Sequence, residues 1–186
     1  LHYLLENADI EALVFHSSLG DRVARVCDRL PMLKAMICVD DGPAEDGSMG
    51  PATGIPYDTF LSQASGTAKT QPQGDEIYML YTGGTTGMPK GVMYPLDGFT
   101  EFFMRGFPPM IGLPPFEDAS QFGPAARQMV DANTAVVAMS GPPLMHGTGC
   151  WLGLMFPHML GGTSVLLENR GFKPEEVWAT VERDRI

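Results

Sequence analysis

Apolar and polar residues alternate along the chain in a way that predicts short strands separated by helices. Residues 12–16 (ALVFH) and 35–39 (AMICV) are apolar runs of the length of a buried strand. Between them, apolar residues recur at helical spacing: Leu19, Val23, Val26, Cys27 and Leu30. The pattern therefore predicts a strand, a helix and a second strand, the βαβ unit that places two strands in parallel.

Residues 40–74 are the first break in this pattern. They are rich in Gly, Pro, Ser, Asp and Thr, and only residues 57–63 have a helical pattern. We interpret the segment as a connection that divides the chain into two parts. Residues 1–74 then hold the end of a first α/β subdomain with its connecting loop, and residues 75–186 hold a second, incomplete α/β subdomain.

The second part repeats the alternation. Strands are predicted at residues 77–82, 91–94, 134–139 and 163–167. Helices are predicted around Phe99, Phe102 and Phe103, at residues 125–130 and at residues 148–160. A proline-rich stretch at 106–121 predicts an irregular segment, and strand residues such as Leu80 and Val136 are expected to be buried. The order predicts an α/β fold in which a mostly parallel sheet is flanked by helices.

Composition narrows the class of protein. An apolar share of 44% and a charged share of 18% are typical of a folded globular chain rather than a disordered one. The net charge of −10 argues against binding to nucleic acid or to an anionic membrane surface, although it leaves a local anion site possible. Three widely spaced cysteines suggest neither a disulfide framework nor a metal site. With no apolar run of about 20 residues and no signal-peptide pattern, we predict a cytoplasmic protein.

Residues 81–91 read YTGGTTGMPKG and continue from the end of the strand predicted at 77–82. Glycines let a backbone approach phosphate oxygens closely, hydroxyl groups donate hydrogen bonds to them, and a lysine adds a positive charge. The segment supplies all three kinds of group: Gly83, Gly84 and Gly87, then Thr82, Thr85 and Thr86, and finally Lys90. We therefore predict a phosphate-binding loop.

Three other interpretations of this segment are weaker. A flexible turn would not require so long a run of Gly, Thr and Lys at these positions. A Walker A loop needs Ser or Thr directly after its lysine, whereas Lys90 lies between Pro89 and Gly91. The GxGxxG pattern of dinucleotide-binding proteins is absent from the segment.

YTGGTTGMPKG resembles the signature of the adenylate-forming (AMP-binding) superfamily, which includes acyl-CoA synthetases, luciferases and peptide-synthetase adenylation domains. Residues 143–149 (PLMHGTG) resemble a second family segment, and residues 161–163 (GGT) leading to 172–175 (FKPE) resemble the strand and helix that follow it. The sequence departs from the family at Gly83, where many members have Ser, and at Met145, where an aromatic residue is usual. The resemblance covers most of the chain and is densest after Ile77.

The resemblance implies roles for individual residues. The ATP phosphates would be bound by residues of the loop, namely Thr82, Gly83, Gly84, Thr85, Thr86, Gly87 and Lys90. Thr82 would also touch the Mg²⁺ that accompanies ATP, and His146 and Gly147 would line the acyl pocket. The helix at 148–160 is interpreted as core with one edge along an apolar tunnel, and Phe99, Phe102 and Phe103 as core.

The implied activity is that of an acyl-CoA ligase of lipid metabolism, whose substrates are a small-molecule carboxylic acid, ATP and coenzyme A. Such an enzyme converts a carboxylic acid and ATP to acyl-AMP and pyrophosphate, and then forms the CoA thioester. The loop variant GGTTGMPKG is most similar to ligases for long-chain fatty or sterol-type acids. An adenylation domain that loads a carrier protein, and a noncatalytic module that binds a phosphorylated ligand, remain alternatives. Whether the parent enzyme is a homo-oligomer stays open.

The resemblance also implies that the chain is a fragment of the family's large N-terminal domain. The segments that bind adenine and ribose, the acidic partner of the magnesium, and the small C-terminal domain with its catalytic lysine would all follow Ile186. No complete catalytic set is therefore expected in residues 1–186, and the fragment alone is predicted to be inactive as a ligase.

Overall fold

The computed structural model describes residues 1–40, 54–66, 73–83, 87–167 and 171–186. The chain divides into two compact units. The first comprises Leu1–Gln71 together with Tyr81–Gly91, and the second comprises Pro72–Leu80 together with Val92–Ile186. The division that the sequence suggested, between residues 74 and 75, stays a prediction.

The first unit contains a parallel three-stranded sheet in the order β1-β2-β3. Its elements are α1 (His2–Asn7), β1 (Ala12–His16), α2 (Gly20–Ala24), β2 (Ala35–Val39), β3 (Ile55–Pro56) and α3 (Tyr57–Gln63). Ala12 pairs with Ala35 and His16 pairs with Val39, so β1 and β2 are in register along their whole length. The predicted strands at 12–16 and 35–39 and the predicted helix at 57–63 are confirmed.

The single helix expected between β1 and β2 is wrong in its extent. The segment consists of a 3-10 turn at Ser17–Leu19, the five-residue helix α2, and a second 3-10 turn at Cys27–Arg29. Pro31 accounts for the end of the second 3-10 turn, because a residue before proline is disfavoured in the helical region, and Leu30 lies at φ −117° and ψ 84°. The apolar spacing still serves packing, since Val23, Val26 and Leu30 are buried.

A two-stranded hairpin, β4 (Ile77–Thr82) and β5 (Lys90–Pro95), carries the predicted phosphate loop at its turn. Its strands run antiparallel. The Leu96 N–H donates to the Glu76 carbonyl at one end (2.9 Å), and the Thr82 hydroxyl donates to the Lys90 carbonyl at the other (3.4 Å). The strand expected at 91–94 is therefore confirmed and extends by one residue at each end.

The second unit adds helices and one more parallel strand pair, β6 (Val137–Met139) and β7 (Thr163–Val165). Its helices are α4 (Leu96–Gly106), α5 (Phe122–Asp131), α6 (Gly147–Cys150), α7 (Phe156–Met159) and α8 (Pro174–Asp184). A π-helical turn, Trp151–Met155, joins α6 to α7 without interruption. Together with the first unit, this arrangement confirms the predicted α/β fold with mainly parallel strand pairs.

Aromatic residues dominate the core of the second unit. Buried side chains in contact there are Phe99, Phe103, Phe107, Phe116, Phe122, Phe156 and Leu160. Phe103 lies at the centre of a run of rings, 4.9 Å from Phe99 and 4.5 Å from Phe107 between centroids. The core therefore fixes α4 against α7, since Phe107 also lies 5.0 Å from Phe156.

Three residues expected in the core are not fully buried. Phe102 is 49% exposed, and Leu80 and Val136 are only partly buried. Phe102 lies next to Phe103, but adjacent helical positions point about 100° apart, so one faces the core and the other does not. Leu80 belongs to a sheet of only two strands, which is too narrow to be covered as a central strand is, and Val136 lies just before β6 rather than within it.

Within the described residues, no helix is long and apolar enough to cross a membrane.

Candidate functional site

The ends of the predicted phosphate loop are held together at the hairpin turn. Thr82 is the last residue of β4 and Lys90 the first residue of β5, and the Thr82 hydroxyl donates to the Lys90 carbonyl across the loop base. Thr82, Gly83, Gly87 and Lys90 are all exposed. Gly87 has φ +122°, a conformation that residues with a side chain rarely adopt. Gly84, Thr85 and Thr86 lie outside the described residues.

This arrangement presents polar groups of the kind that bind phosphate. The Lys90 side chain is exposed at the mouth of the loop, and the Thr82 hydroxyl oxygen keeps a free lone pair for a cation. Among the described residues, no group of three or more His, Cys, Asp or Glu gathers in a metal-binding cluster. A hydroxyl oxygen such as that of Thr82 is a hard ligand of the kind that Mg²⁺ accepts beside phosphate and water oxygens.

Two tyrosines connect α1 to the stems of the loop, meaning the chain that enters it at Tyr81 and leaves it at Pro89. The Tyr81 hydroxyl donates to Asn7 Oδ1 (2.6 Å), and the Tyr3 hydroxyl donates to the Pro89 carbonyl (3.1 Å). Partial burial raises the pKa of the Tyr81 phenol, and the charges of Tyr3 and Asp9 raise it further. The phenol therefore stays protonated, as a donor, at neutral pH. These contacts have no local signal in the sequence, because one joins residues that are 74 positions apart and the other joins residues that are 86 positions apart.

His146 is the residue that precedes the first turn of α6. Its backbone N–H donates to the Pro143 carbonyl and its carbonyl accepts from the Cys150 N–H, each at 2.9 Å. Its exposed imidazole makes no capping hydrogen bond to the helix. The backbone of His146 thus shapes the helix start, while its side chain remains available to a ligand.

Gly147 leaves room for the indole ring of Trp151. A Cβ atom at Gly147 would lie only 3.0–3.1 Å from three carbons of that ring. Trp151 begins the π-helical turn, and its buried indole N–H has no hydrogen-bond partner in the part of the chain that the structure describes. The predicted pocket residue Gly147 therefore sets the position of Trp151.

Trp151 forms one wall of an aromatic cavity of about 360 Å³ in the second unit. The cavity is lined by Tyr94, Pro95, Gly98, Phe99, Phe102 and Trp151. Trp151 meets Tyr94 edge-on at 5.5 Å and Phe99 at 5.3 Å between centroids. The lining explains the exposure of Phe102, which the sequence had assigned to the core. The cavity can hold an apolar group of moderate size.

The loop belongs to the first unit, whereas His146, Gly147 and the cavity belong to the second. The structure brings Thr82 and Lys90 together, and it brings Gly147 against Trp151.

Comparison with known proteins gives a match to a family described as AMP-binding enzyme over residues 1–186. The chain is 34% identical over 190 residues to a medium/long-chain-fatty-acid–CoA/3-oxocholest-4-en-26-oate–CoA ligase of Mycolicibacterium smegmatis, covering 100% of this chain and 32% of that protein. It is 31% identical over 187 residues to a 3-oxocholest-4-en-26-oate–CoA ligase of Rhodococcus rhodochrous, with the same coverage. The chain therefore spans about a third of the length of these curated relatives.

Among solved structures, the anthranilate CoA ligase AuaEII in complex with anthranoyl-AMP is similar with a TM-score of 0.61. The match covers 98% of this chain and 30% of that one at 20% sequence identity, and it supports the fold.

Proposed function

The chain belongs to the AMP-binding enzyme family, and we propose that it is the phosphate-binding part of an ATP-dependent acyl-CoA ligase. In the proposed reaction the substrate carboxylate attacks the α-phosphorus of ATP, which gives acyl-AMP and pyrophosphate. The thiol of coenzyme A then attacks the acyl carbonyl and displaces AMP. The observation that carries the proposal is the hairpin turn, which holds Thr82 and Lys90 together and exposed at the loop base.

The loop neutralises and orients the triphosphate in this proposal. An anionic carboxylate approaches an anionic phosphate, so the barrier falls when the phosphate charge is compensated and the geometry is fixed beforehand. Lys90 supplies the compensating charge, and Thr82, Gly83, Gly84, Thr85, Thr86 and Gly87 supply hydroxyl and backbone N–H donors. When bound, Mg²⁺ draws charge from the phosphate oxygens, with the Thr82 hydroxyl as its protein contact.

The aromatic cavity is the proposed site for the hydrocarbon part of the acid. Its lining carries almost no polar surface, so burial of methylene groups there is favourable, at about 0.8 kcal/mol each. His146 directly precedes the helical segment that carries Trp151, and Gly147 begins it, so we assign both to the end of this pocket where the carboxylate lies. The relatives named for fatty and 3-oxo-steroid acids support a long-chain or sterol-type substrate.

We expect the chain by itself to bind Mg·ATP weakly and to catalyse no exchange of pyrophosphate into ATP, because residues 1–186 span only about a third of the relatives. Isothermal titration with Mg·ATP and a radiolabelled pyrophosphate-exchange assay with palmitate measure the two properties. Exchange of pyrophosphate into ATP at the rate of a complete ligase would contradict the proposal that residues 1–186 hold only part of the active site. If a longer protein that contains this chain binds Mg·ATP but does not exchange pyrophosphate, the noncatalytic binding module is favoured. If it transfers the acyl group to a carrier protein instead of CoA, the carrier-loading adenylation domain is favoured.

Filling the cavity should weaken binding of apolar acids. Gly98 lies on α4 at the cavity, and a Cβ atom there meets no atom within 4 Å, so Gly98→Leu places a side chain in the cavity without a backbone clash. Displacing about two methylene groups of ligand should weaken palmitate binding about tenfold. Trp151 fluorescence reports the binding in a Trp178→Phe background, since the chain has two tryptophans.

The matched control is Gly123→Leu on α5, where the Cβ position is equally open but the residue does not line this cavity. Acetate serves as a carboxylate without a hydrocarbon chain. Equal palmitate affinity in Gly98→Leu and Gly123→Leu would contradict the placement of the hydrocarbon.

A further inference from the structure

Helix α1 is tied to both stems of the phosphate loop. Tyr3 and Asn7 are four residues apart on α1, so their side chains lie on the same face of the helix. Asn7 accepts from the Tyr81 hydroxyl at the stem that enters the loop, and Tyr3 donates to the Pro89 carbonyl at the stem that leaves it. All four residues belong to the first unit.

We propose that Tyr3, Asn7 and Tyr81 are positioning residues that fix the two stems of the phosphate loop on α1 and so determine where Thr82 and Lys90 meet the phosphates. This inference rests on the proposed function for its meaning in catalysis, but the hydrogen bonds can be tested without it. None of the three residues is assigned to contact a phosphate; they act through their neighbours.

The bond from Tyr3 controls the direction of Lys90. Pro89 has no N–H, so its carbonyl is its one backbone hydrogen-bonding group. Because the peptide group is planar, holding the Pro89 carbonyl also holds the amide of Lys90. The Lys90 carbonyl in turn accepts from the Thr82 hydroxyl. The Tyr3 hydroxyl therefore fixes one end of a short path that leads through Lys90 to Thr82.

The bond from Tyr81 controls the other stem. Tyr81 directly precedes Thr82 in β4, and its hydroxyl lies 2.6 Å from Asn7 Oδ1. With both stems bonded to one helix face, the separation of the loop ends is set before a ligand binds. Because the stems are already fixed, they lose less conformational entropy on binding, which increases the affinity.

The experiment uses the chain with Tyr3→Phe and Asn7→Ala, each of which removes one of the two bonds. Asn7→Asp is the conservative variant, because a carboxylate oxygen can accept from the Tyr81 hydroxyl as the amide oxygen does. Tyr57→Phe is the matched control, a half-exposed tyrosine on α3 in the same unit. The readouts are amide hydrogen exchange of the peptide 81–91 and the Kd for Mg·pyrophosphate.

We expect exchange in 81–91 to rise several-fold in Tyr3→Phe and Asn7→Ala, and Kd to increase about two- to tenfold, the range for loss of one net hydrogen bond. Tyr57→Phe should match the unsubstituted chain in both readouts, and Asn7→Asp should match it in amide exchange, because the added negative charge by itself raises the Kd for an anion. Rescue by Asn7→Asp is the result that a general loss of stability would not give.

Unchanged exchange in both Tyr3→Phe and Asn7→Ala would overturn the inference, as would increased exchange with an unchanged Kd. Amide exchange in 81–91 that is as fast in Asn7→Asp as in Asn7→Ala would also count against the inference. If the unsubstituted chain fails to bind pyrophosphate but exchange responds as expected, the proposed function fails and the positioning of the stems stands. If Tyr3→Phe does not fold, the two Asn7 variants decide alone.

Discussion

Replacing Lys90 by alanine is expected to weaken binding of Mg·pyrophosphate about 10- to 150-fold and to leave the thermal midpoint unchanged. The affinity range follows from loss of one charge-assisted hydrogen bond, worth about 1.5–3 kcal/mol. The midpoint should stay because Lys90 is exposed and its backbone, which continues β5, is untouched. Titration calorimetry and a thermal melt measure the two quantities. In a longer ligase carrying this chain, the rate of adenylate formation should fall at least as much.

The control for this substitution is Lys34→Ala, which makes the same change in net charge within the same unit. Lys34 pairs with Glu11 at 2.7 Å, but both side chains are largely exposed, so the pair is worth about 1 kcal/mol at most. If Lys34→Ala weakened pyrophosphate binding as much as Lys90→Ala, the effect would be one of overall charge. The assignment of Lys90 to the phosphates would then be wrong.

Phe103→Ala should have the largest effect on stability, a loss of about 3–5 kcal/mol in the free energy of unfolding. Phe103 is only 1% exposed and lies between the rings of Phe99 and Phe107. Truncation removes its apolar burial and leaves a cavity that rigid neighbouring rings cannot fill. Urea unfolding measures the loss as a lower midpoint at an unchanged slope.

Phe102→Ala is the matched control, because it removes the same atoms from the neighbouring position. Phe102 is 49% exposed, so its truncation should cost well under half as much as that of Phe103. Equal losses from the two variants would show that the aromatic core is not centred on Phe103. The Phe102 variant should instead alter binding of an apolar acid, since Phe102 lines the cavity.

The parts of the fold that sequence reasoning predicted well are those with a short-range cause. Strands β1, β2 and β4 begin and end where apolar runs meet turn residues, so their bounds were predicted to the residue. The helix between β1 and β2 was overestimated, because helical spacing of apolar residues is compatible with a broken helix whose pieces pack on one side. The strand expected at 134–139 was also too long, because pairing with β7 is limited to Val137–Met139.

The candidate site also has parts with a short-range sequence signal and parts that depend on distant contacts. The loop at 82–90 was predicted because all its groups are adjacent in sequence. The contacts of Tyr3 and Asn7 could not be predicted from the sequence. Each hydrogen bond joins residues that are far apart in the chain, by 86 and 74 positions, so it depends on how the chain folds. Phe102 was misassigned for a related reason. Whether an apolar helix residue faces a core or a ligand cavity is decided by the neighbouring elements, and its own sequence neighbours carry no signal of it.

The π-helical turn at Trp151–Met155 has a consequence for how this protein can change during evolution. A π turn contains about one residue more than an α turn. Loss of one codon there would restore α geometry and rotate His146 and Trp151 by about 100° relative to Phe156 and Leu160. The cavity lining from β5 and α4 would keep its place, and only the wall formed by Trp151 would be replaced in one mutational step.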